Sequence, residues 1–180
     1  MEWTSASGCK VSLQQGDITK VAVDAMVNAA NSALAGGGGV DGAIHRAGGP
    51  GIMRELDDIR RAQGGCPTGK AVCTSGGLLP AKFVFHAVGP VYRDGRHGEP
   101  GLLASCYREC LAMADERGVT SLSFPAISTG VYGYPLDEAA AIAVHEVKEY
   151  VERVNTSLRL VIFVLFDQHA MKAYAAVLQK

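Results

Sequence analysis

The chain has 180 residues, 48% of them hydrophobic and 19% charged, with a formal net charge of −1. This balance excludes intrinsic disorder, and the length favours one domain with a sizeable core over two. Nucleic acid is not indicated as a partner, because phosphate contacts call for clustered Lys and Arg. The densest basic groups are Arg60-Arg61 and the loop around Arg93 and Arg96, all expected on solvated surface.

In chain order, Val11 to Gln14 alternates weakly and reads as a first strand ending at Gly16-Asp17. Val21 to Ala30 is an apolar run with β-branched residues, the pattern of a strand buried on both faces. Val40 to Ala47 has helical spacing, and Gly48-Gly49-Pro50 stops it. Ile52 to Gln63 is an amphipathic helix closed by Gly64-Gly65. Ala71 to Thr74 and Phe83 to Val88 read as strands. Pro100 opens a helix whose apolar residues recur at i, i+3, i+4 steps, with Gly118 after Arg117 as its C′ glycine. Ser121 to Phe124 is a short strand, and Pro135 suits the N1 position of a helix reaching about Arg153. Leu158 to Phe166 is the most hydrophobic strand, and His169 to Leu178 closes the chain as a helix.

Strands alternating with helices imply crossovers and a largely parallel sheet covered on both faces, an α/β fold. Ligands of such sheets bind beyond the carboxyl ends of the strands. No apolar run reaches the ~18 residues of a membrane span, so no membrane partner is expected. The first ten residues, MEWTSASGCK, lack a basic region followed by an apolar core, so no signal peptide is expected. Five cysteines without a CxxC pair suit free thiols in a reducing compartment. A soluble, cytoplasmic domain is the expectation.

Two small-residue loops stand out. Gly36 to Gly39 run into a helix start at Val40, and Ser128-Thr129-Gly130-Val131-Tyr132 follows a strand and precedes another helix. A glycine loop feeding a helix N-terminus presents free N–H groups to an anion. We favour a phosphate cradle over a plain surface loop, and two facing loops could hold two linked phosphates without Lys or Arg. Gly37 to Gly42 matches G-x-G-x-x-G, but Asn31 to Ala35 separate it from the preceding strand, where the dinucleotide fingerprint requires a direct turn. Asp41, in the first turn after the glycines, is either a helix-dipole carboxylate or a catalytic one, and beside a phosphate site a carboxylate suggests chemistry. Asn28 and Asn31 end a buried strand; Asn28 reads as structural and Asn31 as ligand-facing. Asp17 is a turn cap or an acceptor for an exocyclic amine. The histidines lack zinc-ligand spacing, so no metal is expected.

"QGDIT" (Gln15 to Thr19), "VNAAN" (Val27 to Asn31), "GGGGVDGAIHRAGGP" (Gly36 to Pro50), "CPTGKA" (Cys66 to Ala71), "HAVGP" (His86 to Pro90) and "PAISTGVYGYP" (Pro125 to Pro135) together closely resemble the macrodomains, in particular the MacroD-type branch with the bacterial O-acetyl-ADP-ribose deacetylases. The resemblance, which runs from about Gln15 to Phe166, implies a three-layer α/β/α sandwich with a mixed, largely parallel sheet and ADP-ribose in a cleft at the strand ends, and residues 1–180 are read as a single macrodomain. It places Asp17 and the Ile18 backbone at adenine, with Phe166 beside them. It sets Asn31 on the distal ribose, and Gly38, Gly39, Val40 and Asp41 with Ser128, Thr129, Gly130, Val131 and Tyr132 around the diphosphate and that ribose. Asp41, with Asn31, would be catalytic. The implied partners are ADP-ribose, O-acetyl-ADP-ribose and mono-ADP-ribosylated proteins, with no cofactor. The rival readings are a non-catalytic ADP-ribose reader and, more remotely, a Rossmann oxidoreductase lacking a substrate domain.

Overall fold

A computed structural model describes residues 1–153 and 155–180. In it the strands are β1 (Glu2–Thr4), β2 (Lys10–Gln15), β3 (Ala25–Ala30), β4 (Ala71–Ser75), β5 (Phe83–Val88), β6 (Ser121–Phe124) and β7 (Leu160–Leu165). The helices are α1 (Gly39–Gly48), α2 (Pro50–Gln63), α3 (Glu99–Glu116), α4 (Leu136–Arg153) and α5 (Gln168–Leu178). One sheet runs in the order β1-β2-β7-β6-β3-β5-β4. Its five central strands are parallel, and β1 and β4 pair antiparallel at the edges.

Both faces of the sheet are covered, because the alternating side chains of its central strands are apolar on each side. Val27, Phe85, Leu122 and Phe163 join residues of α3, α4 and α5 in the larger core. Within it the rings of Tyr107, Phe124, Phe163 and Tyr174 pack with centroids 5.0 to 6.3 Å apart. Met26, Ala30, Val84 and Val88 face the other way, against Ile44 of α1 and Ile52 and Leu56 of α2. Each of the Val, Leu, Ile, Met and Phe side chains among them contributes about 1.5–3 kcal/mol on burial, so neither helical layer is dispensable. The result is the three-layer α/β/α sandwich. None of the described helices is long and apolar enough to cross a membrane.

The local signals explain most boundaries. Gly64 takes φ +82 at the end of α2 and Gly118 φ +64 beyond α3, the left-handed conformation that glycine adopts without a Cβ penalty. Three expectations shift. The strand read over Val21 to Ala30 begins only at Ala25, because Val23 N bonds Pro80 O and Asp24 O accepts from Lys82 N and Phe83 N outside any ladder. Pro135 precedes α4 rather than opening it, its carbonyl accepting from Ala139 N at 2.9 Å. Arg60 is half-buried, its guanidinium bonded to Leu34 O and Asp57, whereas Arg61, Arg93 and Arg96 are exposed as expected. Strand β1 was not anticipated; three residues with one partner strand carry too little pattern to read.

One feature of the sheet makes room for a ligand. Strand β3 pairs with β5 along all six residues, but with β6 only at Ala25↔Leu122 and Met26↔Ser123. Pro125 follows β6 and has no N–H to continue the ladder. From β3 the chain goes to β4 and β5 on one side and to β6 and β7 on the other. This is the reversal point at which open α/β sheets hold ligands.

Candidate active site

A cleft of about 280 Å³ opens between the carboxyl ends of β3 and β6. Ala29, Ala30 and Asn31 form one side, and Pro125 to Ser128 the other. Gly37 to Asp41 and Gly130 to Tyr132 close the two ends of the cleft, with Gly89 beneath. No Lys or Arg lines it among the described residues. The nine expected residues Asn31, Gly38, Gly39, Val40, Asp41, Ser128, Gly130, Val131 and Tyr132 all meet there.

The glycine loop is held in shape from below. Asn31 Nδ2 donates to Gly36 O at 2.8 Å, and Asn31 Oδ1 accepts from Ala35 N at 3.1 Å. Asn31 thus both ties the loop and lines the cleft. Gly42 N is the first amide bonded within α1, to Gly38 O at 3.1 Å. The amides of Gly39, Val40 and Asp41 before it have no intrahelical acceptor, and the helix dipole adds about half a positive charge at this end. A Cβ on Gly42 would stand 2.7 Å from Gly37 O, so the loop carbonyl seats directly against the helix. A Cβ on Gly38 would meet no protein atom within 4 Å.

The opposite loop is equally fixed. Ser128 takes φ +68, a conformation that strains a residue with a Cβ. Its carbonyl accepts from Tyr134 N at 2.9 Å, and its buried hydroxyl has no partner among the described residues. Gly89 lies under it, where a Cβ would collide with Ser128 Oγ and approach Ile127 Cγ2 to 2.6 Å. Tyr92 N donates to Tyr132 O at 2.9 Å, and the Tyr92 and Tyr134 rings pack 4.8 Å apart. Thr129 turns its hydroxyl to Ala126 O at 2.9 Å and lies outside the lining.

Asp41 is 6% exposed. Asn28 Nδ2 donates to Asp41 Oδ1 at 2.8 Å, and His45 Nε2 lies 3.3 Å from the same oxygen without hydrogen-bond alignment. Oδ2 is left on the side of Gly37, 3.5 Å from where a Cβ there would stand. Asn28 also approaches His86 Nδ1 at 3.1 Å, and His86 Nε2 lies 2.9 Å from Thr74 Oγ1. Asn28 and His86 are fully buried neighbours on β3 and β5. Burial, reinforced by the nearby His45, pushes the His86 pKa down to about 3, so the ring is neutral. Asn28 Oδ1 is buried without a partner among the described residues.

Outside the cleft lining, the 3-10 turn Ile18–Lys20 follows β2. Asp17 Oδ1 caps it, accepting from Thr19 Oγ1 at 2.7 Å and Thr19 N at 2.9 Å. The Thr19 hydroxyl and amide bonds hold the Asp17 carboxyl below its ordinary pKa. Asp17 is exposed, whereas Ile18 is 4% exposed and packs beneath α1. Phe166 is 86% exposed, next to Leu165, whose carbonyl accepts from Gly16 N. Asp17, Ile18 and Phe166 stand together at the ends of β2 and β7, beyond the cleft lining. Gly89 and Pro125 line the cleft without a role that the residues alone suggest. Their positions at or just beyond strand ends and loop bends are the signal that points to them.

The Macro domain family model matches residues 27–143. An O-acetyl-ADP-ribose deacetylase of Pantoea vagans is 51% identical over 169 residues, covering 94% of this chain and 98% of that protein. A solved macrodomain of Oceanobacillus iheyensis with ADP superposes with a TM-score of 0.94 at 40% identity, covering 99% of this chain and 94% of that one. A Trypanosoma brucei macrodomain in complex with ADP-ribose gives a TM-score of 0.83 at 42% identity, covering 92% of this chain and 68% of that one. The order of strands, the glycine loop on α1 and these matches agree: the chain belongs to the macrodomain family.

Proposed function

We propose that this macrodomain binds ADP-ribose and hydrolyses esters at its distal ribose, deacetylating O-acetyl-ADP-ribose and removing mono-ADP-ribose from acidic side chains of proteins. The observation that carries the reading is Asp41, a buried carboxylate set in the first turn of α1 beside amides suited to phosphate. A carboxylate there repels a diphosphate, so a module built only to bind anions would do better without it. The name of the Pantoea vagans relative supports the deacetylase part of this reading, and the Trypanosoma brucei complex its ADP-ribose part.

In this scheme the diphosphate lies over the amides of Gly39 to Asp41 and the Ser128 to Tyr132 loop. Adenine lies toward Phe166 and the free oxygen of Asp17. The distal ribose sits against Asn31 and Tyr132, with its ester near Asp41. Asp41 Oδ2 orients and deprotonates a water, which attacks the acyl carbon. The bond from that carbon to the ribose oxygen breaks, and the ribose hydroxyl and the free carboxylic acid are released.

The test is a time course of purified protein with O-acetyl-ADP-ribose and with a protein ADP-ribosylated on glutamate, following release of ADP-ribose. Turnover of both above the spontaneous background is expected. ADP-ribose binding without turnover of either would make the protein a reader and overturn the esterase.

A further inference from the structure

Among the described residues, the buried polar atoms behind Asp41 form a chain with one direction. Thr74 Oγ1 lies 2.9 Å from Ser75 O, a carbonyl that can only accept, so the Thr74 proton is committed there. Thr74 Oγ1 therefore receives the Nε2–H of His86 at 2.9 Å. A neutral ring protonated on Nε2 offers Nδ1 as an acceptor. Asn28 Nδ2 lies 3.1 Å from that nitrogen and 2.8 Å from Asp41 Oδ1, one amide hydrogen for each.

We propose that His86, set by Thr74, is a positioning residue for the ester hydrolysis, orienting the Asn28 amide so that it donates to Asp41 Oδ1 and leaves Oδ2 to the cleft. This rests on the esterase reading above. If His86 carried its proton on Nδ1, the Asn28 amide would turn its oxygen to the ring. Asp41 would then face a carbonyl instead of an N–H. The four groups come from β4, β5, β3 and α1, so the device spans the sheet edge and the catalytic helix. None of Thr74, His86 and Asn28 lines the cleft. Their loss should therefore alter turnover while leaving the binding surface intact.

The experiment compares wild type, His86→Leu, His86→Asn and Thr74→Val. Each is measured for turnover of saturating O-acetyl-ADP-ribose and for the Kd of ADP-ribose by calorimetry. Asparagine keeps an acceptor near the position of Nδ1, whereas leucine of similar volume removes it. His86→Leu should lose tenfold or more in turnover with Kd within twofold, and His86→Asn should regain most of that loss. Thr74→Val should fall between. Full turnover in His86→Leu, equal losses of binding and turnover, or no rescue by asparagine would each overturn the proposal. Should His86→Leu not fold, nitrogen NMR of 15N-histidine-labelled wild type decides independently. Nε2 protonated and Nδ1 bare from about pH 5 to about pH 8 is expected, and the opposite tautomer sinks the mechanism. A wild type that binds ADP-ribose but never turns over substrate removes the esterase reading itself, a result distinct from a failed relay.

Discussion

The four successive glycines do different jobs, and backbone angles together with contact distances separate them. Gly36 and Gly39 take φ +82 and +56, so their backbone demands glycine whatever is bound. Gly38 has φ −96, open to any residue, and no protein atom near its missing Cβ. It lines the cleft, so the space there belongs to the ligand. Gly38→Ala should therefore cost no more than about 1 kcal/mol of stability as an N-cap change, yet weaken ADP-ribose at least tenfold. Gly42→Ala should do both kinds of damage, since its Cβ would press on Gly37 O and destabilise by about 1–3 kcal/mol. Urea unfolding beside calorimetry separates the two variants; equal stability losses would contradict the assignment. Sequence alone marked the glycine run as a site but could not rank its members, because φ and clearance are tertiary facts. It reads Asn28 as structural and Asn31 as ligand-facing; Asn28 is buried against Asp41 and His86, while Asn31 lines the cleft with its amide tied to the glycine loop. The polar Asn28 and His86 inside apolar strands were the visible clue, since buried polar groups need partners. The partners lie 13 and 58 residues away in sequence, Asp41 brought in by α1 and His86 by the register of β5 on β3.

At the level of elements, periodicity located every helix and the six longer strands, because each has an apolar face to bury. What it could not read was where β3 and β6 separate, which depends on a short strand meeting Pro125. The pairing of β3 with β5 has its own pH signature through His86. Its folded pKa of about 3 lies below the ordinary value of 6.5. Between those values the unfolded chain binds the extra proton, so stability falls as pH drops below 6.5 and is retained above it. From pH 7 to pH 5 this contributes a loss of about 2 kcal/mol, a window above that in which Asp17 and Asp24 titrate. Urea unfolding at the two pH values should show that loss in wild type and a much flatter response in His86→Leu. The same slope in both would mean that His86 is not the buried neutral group described.

For the molecule as a whole, a net charge of −1 and a cleft wall without Lys or Arg among the described residues are one strategy. In the proposed binding mode, anion affinity is drawn from backbone amides at a helix start and from a tightly tied loop, not from charged side chains. That leaves Asp41 as the charged group on the cleft wall, and the sandwich positions it rigidly: α1 carries it, β3 and β5 orient it, and the glycine loop faces it. The most direct test of the account is Asp41→Asn, which keeps the side chain's shape and its acceptor for Asn28 but cannot take a proton. Single-turnover hydrolysis of O-acetyl-ADP-ribose should fall by about 10²–10⁴-fold, the worth of a general base, while ADP-ribose binds as tightly as to wild type or tighter. Undiminished hydrolysis by this variant would contradict the central claim.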